Sequence, residues 1–320
     1  MKNFVSKDAA MAAVRKLHIG LDGDGEAALH VKRLLEKGEG GSVLPKARRF
    51  TNNDETRGMM LIGAPGSGKS HLMHRTLAKI PELAAREDGV PRYISVSVPS
   101  PATLKSVTLA LLKKTGYNHG SRRQEVWALW QMLLHRLSTL GIELVWIDEA
   151  QDLFCADRKQ ILRALKSLMQ GDNAVAVIVS GTGDLDAVIR SDQQVKRRFT
   201  SMVLPELVQS VHGEMFQEIM ADYCPRVGLG APIEADLVGR VFHGARYRFG
   251  RAMELLLDAM EFAIELDAEH LTIDHFASAY AMNEACTASE NVFYADSYQL
   301  LNPDGEAMPV LRRKRQKRGG

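Results

Sequence analysis

Gly63-Ala64-Pro65-Gly66-Ser67-Gly68-Lys69-Ser70 is the stretch whose reading decides the fold. It satisfies G-x-x-x-x-G-K-[ST] at every fixed position, and its flanks give the pattern a structural setting. Met59-Met60-Leu61-Ile62 ahead of it reads as a short buried strand, and residues 71–80 behind it read as a helix. A strand, a glycine-rich loop and a helix in that order turn backbone N–H groups toward a polyphosphate at the positive end of the helix. In such a site Lys69 reaches the β- and γ-phosphates and the Ser70 hydroxyl ligates Mg²⁺. Gly63, Ala64, Pro65, Gly66, Ser67, Gly68, Lys69 and Ser70, with His71 beside them, are the expected nucleotide-binding residues. ATP and Mg²⁺ are the expected cofactors.

Working outward, strands alternate with helices. Residues 93–98 alternate at period two, and residues 144–147 form an apolar strand ending in acids. Residues 174–179 are a continuous apolar run, as expected of a strand buried on both faces. A last strand is expected at 202–204. Between them, Val126, Leu129, Trp130, Leu133, Leu134 and Leu137 make one helical stripe, and Ile161, Leu162, Leu165, Leu168 and Met169 another. This alternation implies an α/β fold, a parallel sheet with right-handed crossovers flanked by helices. From Ser210 onward the pattern is all-helical, clearest at Met253, Leu256, Leu257, Met260 and Ile264, and reads as a small lid. Before Gly58 the chain is polar and glycine-punctuated, with helical pieces around 9–17 and 26–37. The expected divisions are an N-terminal helical extension (1–57), a nucleotide-binding core (58–207), a helical lid (208–286) and a tail (287–320).

Composition is that of a globular protein: 45% hydrophobic and 25% charged over 320 residues. No apolar run approaches the roughly 18 residues that a membrane span needs, and no signal-peptide stretch follows Met1. Cys155, Cys224 and Cys286 contain no C-x-x-C pair, which suits reduced thiols. The net charge of +2 is unevenly placed. Arg312, Arg313, Lys314, Arg315, Lys317 and Arg318 crowd the last ten residues, and without them the chain is net acidic. Such a tail suits either a polyanionic partner or a solvated end.

The acids that end the third strand are Asp148 and Glu149. In nucleotide hydrolases the first holds magnesium and the second orients and polarises the attacking water. Asp152 reads as a helix cap. The next strand ends Ser180-Gly181-Thr182, where a polar side chain would sense the γ-phosphate; Thr182 is the first choice and Ser180 the second. Arg197 and Arg198, just before the last strand, are candidates for a finger supplied to a neighbouring subunit, with Arg190 a further one. A basic helix end complementing the dipole is the other reading of that run. Arg251 opens the clearest lid helix, from which it could point back at the γ-phosphate.

Phosphate loop, Asp-Glu strand end, sensor-like Thr182, Arg-Arg-Phe and lid Gly-Arg come in the order seen in AAA+ ATPases. Gly181-Thr182-Gly183-Asp184-Leu185-Asp186-Ala187-Val188-Ile189-Arg190, then Asp192-Gln193-Gln194-Val195 and Arg198-Phe199, resembles the TniB/TnsC family of transposition regulators, relatives of the MuB type. Gly250-Arg251-Ala252-Met253-Glu254-Leu255-Leu256 is similar to that family's lid helix. The resemblance covers roughly residues 58–267. It implies a bacterial, cytoplasmic, DNA-associated ATPase that assembles with ATP as a homo-oligomer, helical filament or ring, on double-stranded DNA. It further implies recruitment of a DDE transposase, a target-selection factor as another partner, and disassembly by hydrolysis. DNA-backbone contacts are then expected in the segment after the second strand, at Thr103, Lys105, Lys113, Lys114, Ser121, Arg122 and Arg123. The same residues also fit a solvated helix face. An AAA+ ATPase acting on a protein partner, initiator-like or secretion-associated, is the competing reading; a scaffold that binds ATP with little turnover is a third.

Overall fold

A computed structural model describes residues 7–305, apart from 18, 21, 51, 53, 119–122 and 156–157. The chain forms two compact units: Gly20–Pro205, and a second that joins the residues before it to those after it. The first helix, α1 (Lys7–Val14), belongs to the second unit.

The first unit opens with α2 (Asp22–Arg33) and a hairpin of β1 (Leu35–Lys37) and β2 (Val43–Ala47), with Leu35 paired to Ala47. Five further strands follow: β3 (Gly58–Ile62), β4 (Tyr93–Ser97), β5 (Leu144–Asp148), β6 (Ala176–Gly181) and β7 (Phe199–Val203). They form one parallel sheet in the order β4–β5–β6–β3–β7. The helices between them are α3 (Lys69–Ala78), α4 (Leu104–Lys114), α5 (Val126–Leu140), α6 (Arg158–Leu168), α7 (Gly183–Arg190) and the short α8 (Gln193–Lys196).

Every residue of β3, β5 and β6 is buried, because the sheet is covered on both faces. Successive side chains enter opposite layers. Met60, Ile62, Val145, Ile147, Val177 and Val179 pack with Leu111, Trp130, Leu133 and Leu165 from the helices of one layer. Met59, Leu61, Leu144, Trp146 and Ile178 pack with Val31 of α2, Leu35 and Ala47 of the hairpin, and Met73 and Leu77 of α3. The helix expected over 26–37 therefore stops at Arg33, since Leu35–Lys37 is taken into the hairpin that covers this second face. The expected strand at 174–179 lies two residues further on. Its register is set by β3, Met60 pairing with Val179, while Val175 turns aside to bond Leu168 and Thr56.

The second unit packs α1 with α9 (Gln209–Arg226), α10 (Leu237–Gly244), α11 (Phe249–Glu265) and α12 (Ile273–Glu284). Met11 of α1 joins Phe216, Phe242, Leu256, Met260 and Phe276 in its core. The residues before Gly58 are thus shared between the two units. Beyond α12 the chain folds back, burying Val292 and Phe293, and Arg240 donates to the carbonyls of Val292 and Ala295, each at 2.8 Å. Arg246 pairs with Glu284 at 2.7 Å and holds that carboxyl below its usual range. Among the described residues no helix is long and apolar enough to cross a membrane.

One ion cluster joins the entry of β3 to the exit of α8. Glu55 accepts from Arg197 at 2.6 Å and also from Arg198, whose backbone carbonyl takes the N–H of Gly58. The Arg198 side chain is 6% exposed and that of Arg197 55%. Removing the carboxylate would leave a buried guanidinium uncompensated. Glu55→Ala should therefore cost about 3–5 kcal/mol in urea unfolding. Arg197→Ala, at a half-exposed pair, should cost under about 1 kcal/mol.

Candidate active site

The loop after β3 leaves the sheet beside β6: Gly63 N–H donates to the Gly181 carbonyl at 3.1 Å. Gly66 and Gly68 take left-handed φ values of 77° and 93°, which side chains resist, so these two positions let the chain curl into α3. Lys69 begins that helix and is buried, its ammonium donating to the carbonyls of Gly63 at 2.9 Å and Ala64 at 3.1 Å. The next residue, Ser70, donates to Asp148 Oδ2 at 2.6 Å. A helix N-terminus, a buried ammonium and a hydroxyl on a carboxylate thus converge on one loop, a set suited to binding polyphosphate.

Asp148 ends β5 with a nearly buried carboxylate, a costly charge unless its oxygens find donors. Its Oδ1 accepts from Ser180 Oγ at 2.5 Å and from Glu149 N–H at 3.0 Å. Ser180 Oγ in turn accepts from the Trp146 indole N–H at 2.8 Å, and both residues are buried. Ser180, the second choice as γ-phosphate sensor, thus spends its hydroxyl on Asp148. Thr182 does not: its Oγ1 is buried without a hydrogen-bond partner at the end of β6, and its N–H donates to Gln151 Oε1 at 3.3 Å. Glu149 stands at φ 53°, an uncommon conformation for a residue with a side chain, and its Oε2 accepts from Gln151 Nε2 at 2.6 Å. The hydroxyl of Ser70 against the carboxylate of Asp148 is a hard-oxygen pair, the donor chemistry that Mg²⁺ takes.

The other expected site residues are more dispersed. Arg198 is buried on Glu55 and the Lys166 carbonyl, Arg197 reaches the same carboxylate from a half-exposed position, and Arg190 pairs with Asp186 on its own helix at 2.6 Å. His71 is exposed on α3. Arg251 lies on α11 in the second unit, 4.0 Å from Glu284. Thr103 caps α4 in a reciprocal box with Ser106, and Lys105 donates to the Gln124 carbonyl. Lys113 and Lys114 are exposed in the last turn of α4 and line a cavity of ≈ 340 Å³ with His74, Ser95, Ser97, Trp146 and Asp148. Lys114 lies nine positions beyond Lys105, about two and a half helical turns, so the two emerge on opposite sides of α4. Arg123 is exposed; Ser121, Arg122 and the basic tail lie outside the described residues. Two partners, the Trp146 indole and Glu55, lack any sequence pattern that announces them. Gln151 has only a faint one, a polar residue two places after the acidic strand end.

Solved structures share this architecture. The ORC1 protein of Aeropyrum pernix, solved in complex with DNA, aligns at a TM-score of 0.53 and 20% identity over 75% of this chain. This chain spans 62% of that relative's length. The ORC2 protein of the same organism, in ADPNP–ADP complexes, aligns at 0.57 and 16% over 91% of this chain and 74% of its own. Cdc6p of Pyrobaculum aerophilum aligns at 0.58 and 13% over 89% and 76%. Comparison with curated proteins gives no match. The sheet order, the loop after its inner strand and the Asp-Glu end of β5 are those of the P-loop AAA+ fold. Within that class the model of the bacterial TniB protein matches residues 43–209, and the chain belongs to the TniB family.

Ser180→Ala tests the donor chain behind Asp148. It would orphan the Trp146 N–H and loosen the carboxylate, a loss of about 1–3 kcal/mol. The magnesium concentration for half-maximal ATP turnover should rise about tenfold, with a parallel change in tryptophan fluorescence. An unaltered magnesium titration would mean that Ser180 does not orient Asp148.

Proposed function

We propose that this protein is an ATP-dependent, DNA-binding regulator of transposition. It oligomerises on double-stranded DNA, marks target sites, recruits a DDE transposase, and is released by hydrolysis. The observation that carries this reading is the TniB family match over residues 43–209, the stretch that holds the phosphate loop, Asp148-Glu149 and the Arg197-Arg198 run.

The geometry of the site supports these roles. Backbone N–H groups at the start of α3 and the Lys69 ammonium neutralise the phosphates. Ser70 and Asp148 would hold Mg²⁺, which supplies charge neutralisation at the phosphate oxygens. Glu149 orients the attacking water and draws its proton, and Thr182 gives its unspent hydroxyl to the γ-phosphate. Arg197, more than half exposed, is the finger supplied to the neighbouring protomer's site. Arg251 is assigned to coupling the helical unit to nucleotide state. Lys113, Lys114 and Arg123 contact DNA phosphates, which position without reading sequence. Each protomer offers few such contacts, so stable binding requires many protomers aligned on one duplex. The basic residues 312–318 serve a polyanionic or protein partner.

Lys69→Ala should lose ATP binding, and Glu149→Gln should bind ATP, turn over slowly and trap the assembled state; isothermal titration and phosphate release separate the two. Mixing Arg197→Ala with Lys69→Ala protomers should restore part of the ATPase rate, since each supplies what the other lacks. The deciding measurement is electron microscopy of the full chain on long duplex DNA with a non-hydrolysable ATP analogue. Filaments that dissolve as salt rises are expected. Isolated protomers without DNA affinity would overturn the reading.

A further inference from the structure

The strand order raises a problem of reach. Glu149 follows β5, the phosphate loop follows β3, and β6 lies between them. Two strand spacings are about 9.6 Å. A carboxylate that acts on phosphate held by that loop must therefore lean across the end of β6, and something must hold it there. We infer that Gln151 is the positioning residue for ATP hydrolysis, its carboxamide tying Glu149 to the end of β6 on the side of the phosphate loop. The inference rests on the proposed role of Glu149.

The hydrogen bonds of this one amide span the gap. Its Nε2 donates to Glu149 Oε2 at 2.6 Å and lies 3.4 Å from Asp152 Oδ1, while its Oε1 accepts the Thr182 N–H at 3.3 Å. Those partners fix which end of the amide is which. Flipped, its oxygen would face two carboxylates and its NH₂ would face an N–H group. Packing supplies independent support. A side chain at Gly181 would place its Cβ 2.4 Å from Gln151 Oε1, so the end of β6 carries a glycine where the carboxamide seats. Glu149 itself sits at φ 53°, a strained conformation that persists only where its surroundings determine it. Gln151 on its side chain and Asp148 on its N–H provide those surroundings. The same amide holds the backbone of Thr182, so the water-orienting carboxylate and the sensing hydroxyl are set by one group. Gln151 acts through these two residues and touches no substrate.

Gln151→Met keeps the length beside Gly181 and removes the hydrogen bonds. Gln151→Glu keeps an acceptor for Thr182 N–H but sets a third carboxylate against Glu149 and Asp152. Both should lower kcat about 10- to 100-fold while KM for ATP and the melting temperature stay near those of the parent. In single-turnover hydrolysis, adding Gln151→Met to Glu149→Gln should cost nothing further, because the group it positions is already gone. A Gln151→Met protein with parental kcat would overturn the inference. So would an equal loss in both backgrounds, or a loss that appears as weaker ATP binding and lower stability. Parental turnover by Glu149→Gln alone would instead overturn the reading of Glu149 on which the inference stands.

Discussion

The N–H and C=O groups of β3 must be satisfied on both edges, and both of its faces are buried, so its neighbours have little freedom. Parallel pairing with β6 and β7 answers the first demand, and two layers of cover answer the second. Parallel neighbours cannot be joined by tight turns, so the chain must cross over the sheet each time. The strand that follows β3 in sequence is placed three positions away, at the far edge, while β7 fills the other side. The loop leaving β3 therefore emerges where the connections diverge, the place at which open α/β sheets bind their ligands. In-register pairing brings Ile62 level with Gly181, and Ser97 level with Asp148. A single edge of the sheet thereby gathers the phosphate loop, Asp148, Glu149 and Thr182.

Gathering them creates an electrostatic difficulty, because Asp148 is nearly buried among apolar strands. Its oxygens are satisfied by Ser70, Ser180 and a backbone N–H, and the Trp146 indole stands behind Ser180. The indole belongs to the apolar layer under α3, so the carboxylate is oriented from inside the core. A rigid hydrophobic layer thus sets a polar site, and the site inherits the precision of the packing.

What the sequence displayed and what it hid follow the same division. The phosphate loop, β3, β5 and the amphipathic helices were legible because their signals are local: fixed glycines, an apolar run ending in acids, stripes at helical spacing. The cover of the second face was not, because α2 and the β1–β2 hairpin gain their meaning only when folded against Met59 and Leu61. The apolar run at 174–179 begins two residues before β6, since such a run shows burial but not which residues its neighbour will pair. Glu55 gave no sign of its role, being 143 residues from Arg198 in sequence. The basic residues of α4 illustrate the converse. Lys105, Lys113 and Lys114 read as one cluster along the chain, yet the helix turns Lys105 toward Gln124 and the others toward the cavity beside Asp148.

Adjacent arginines raise the question of which can be spared for another molecule, and charge balance decides it. Glu55 is one carboxylate shared by two guanidiniums. If Arg198 left, a mostly exposed arginine would have to compensate a mostly buried acid, and the cavity left behind would hold no counter-charge. If Arg197 left, the buried Arg198–Glu55 pair would remain intact and neutral, with little desolvation to overcome at a half-exposed position. Arg197 is therefore the surplus cation, free to exchange Glu55 for a more strongly charged anion such as a triphosphate. Any assembly that brings such an anion to this face can take Arg197 without disturbing the entry to β3, and so without weakening the strand on which the fold depends.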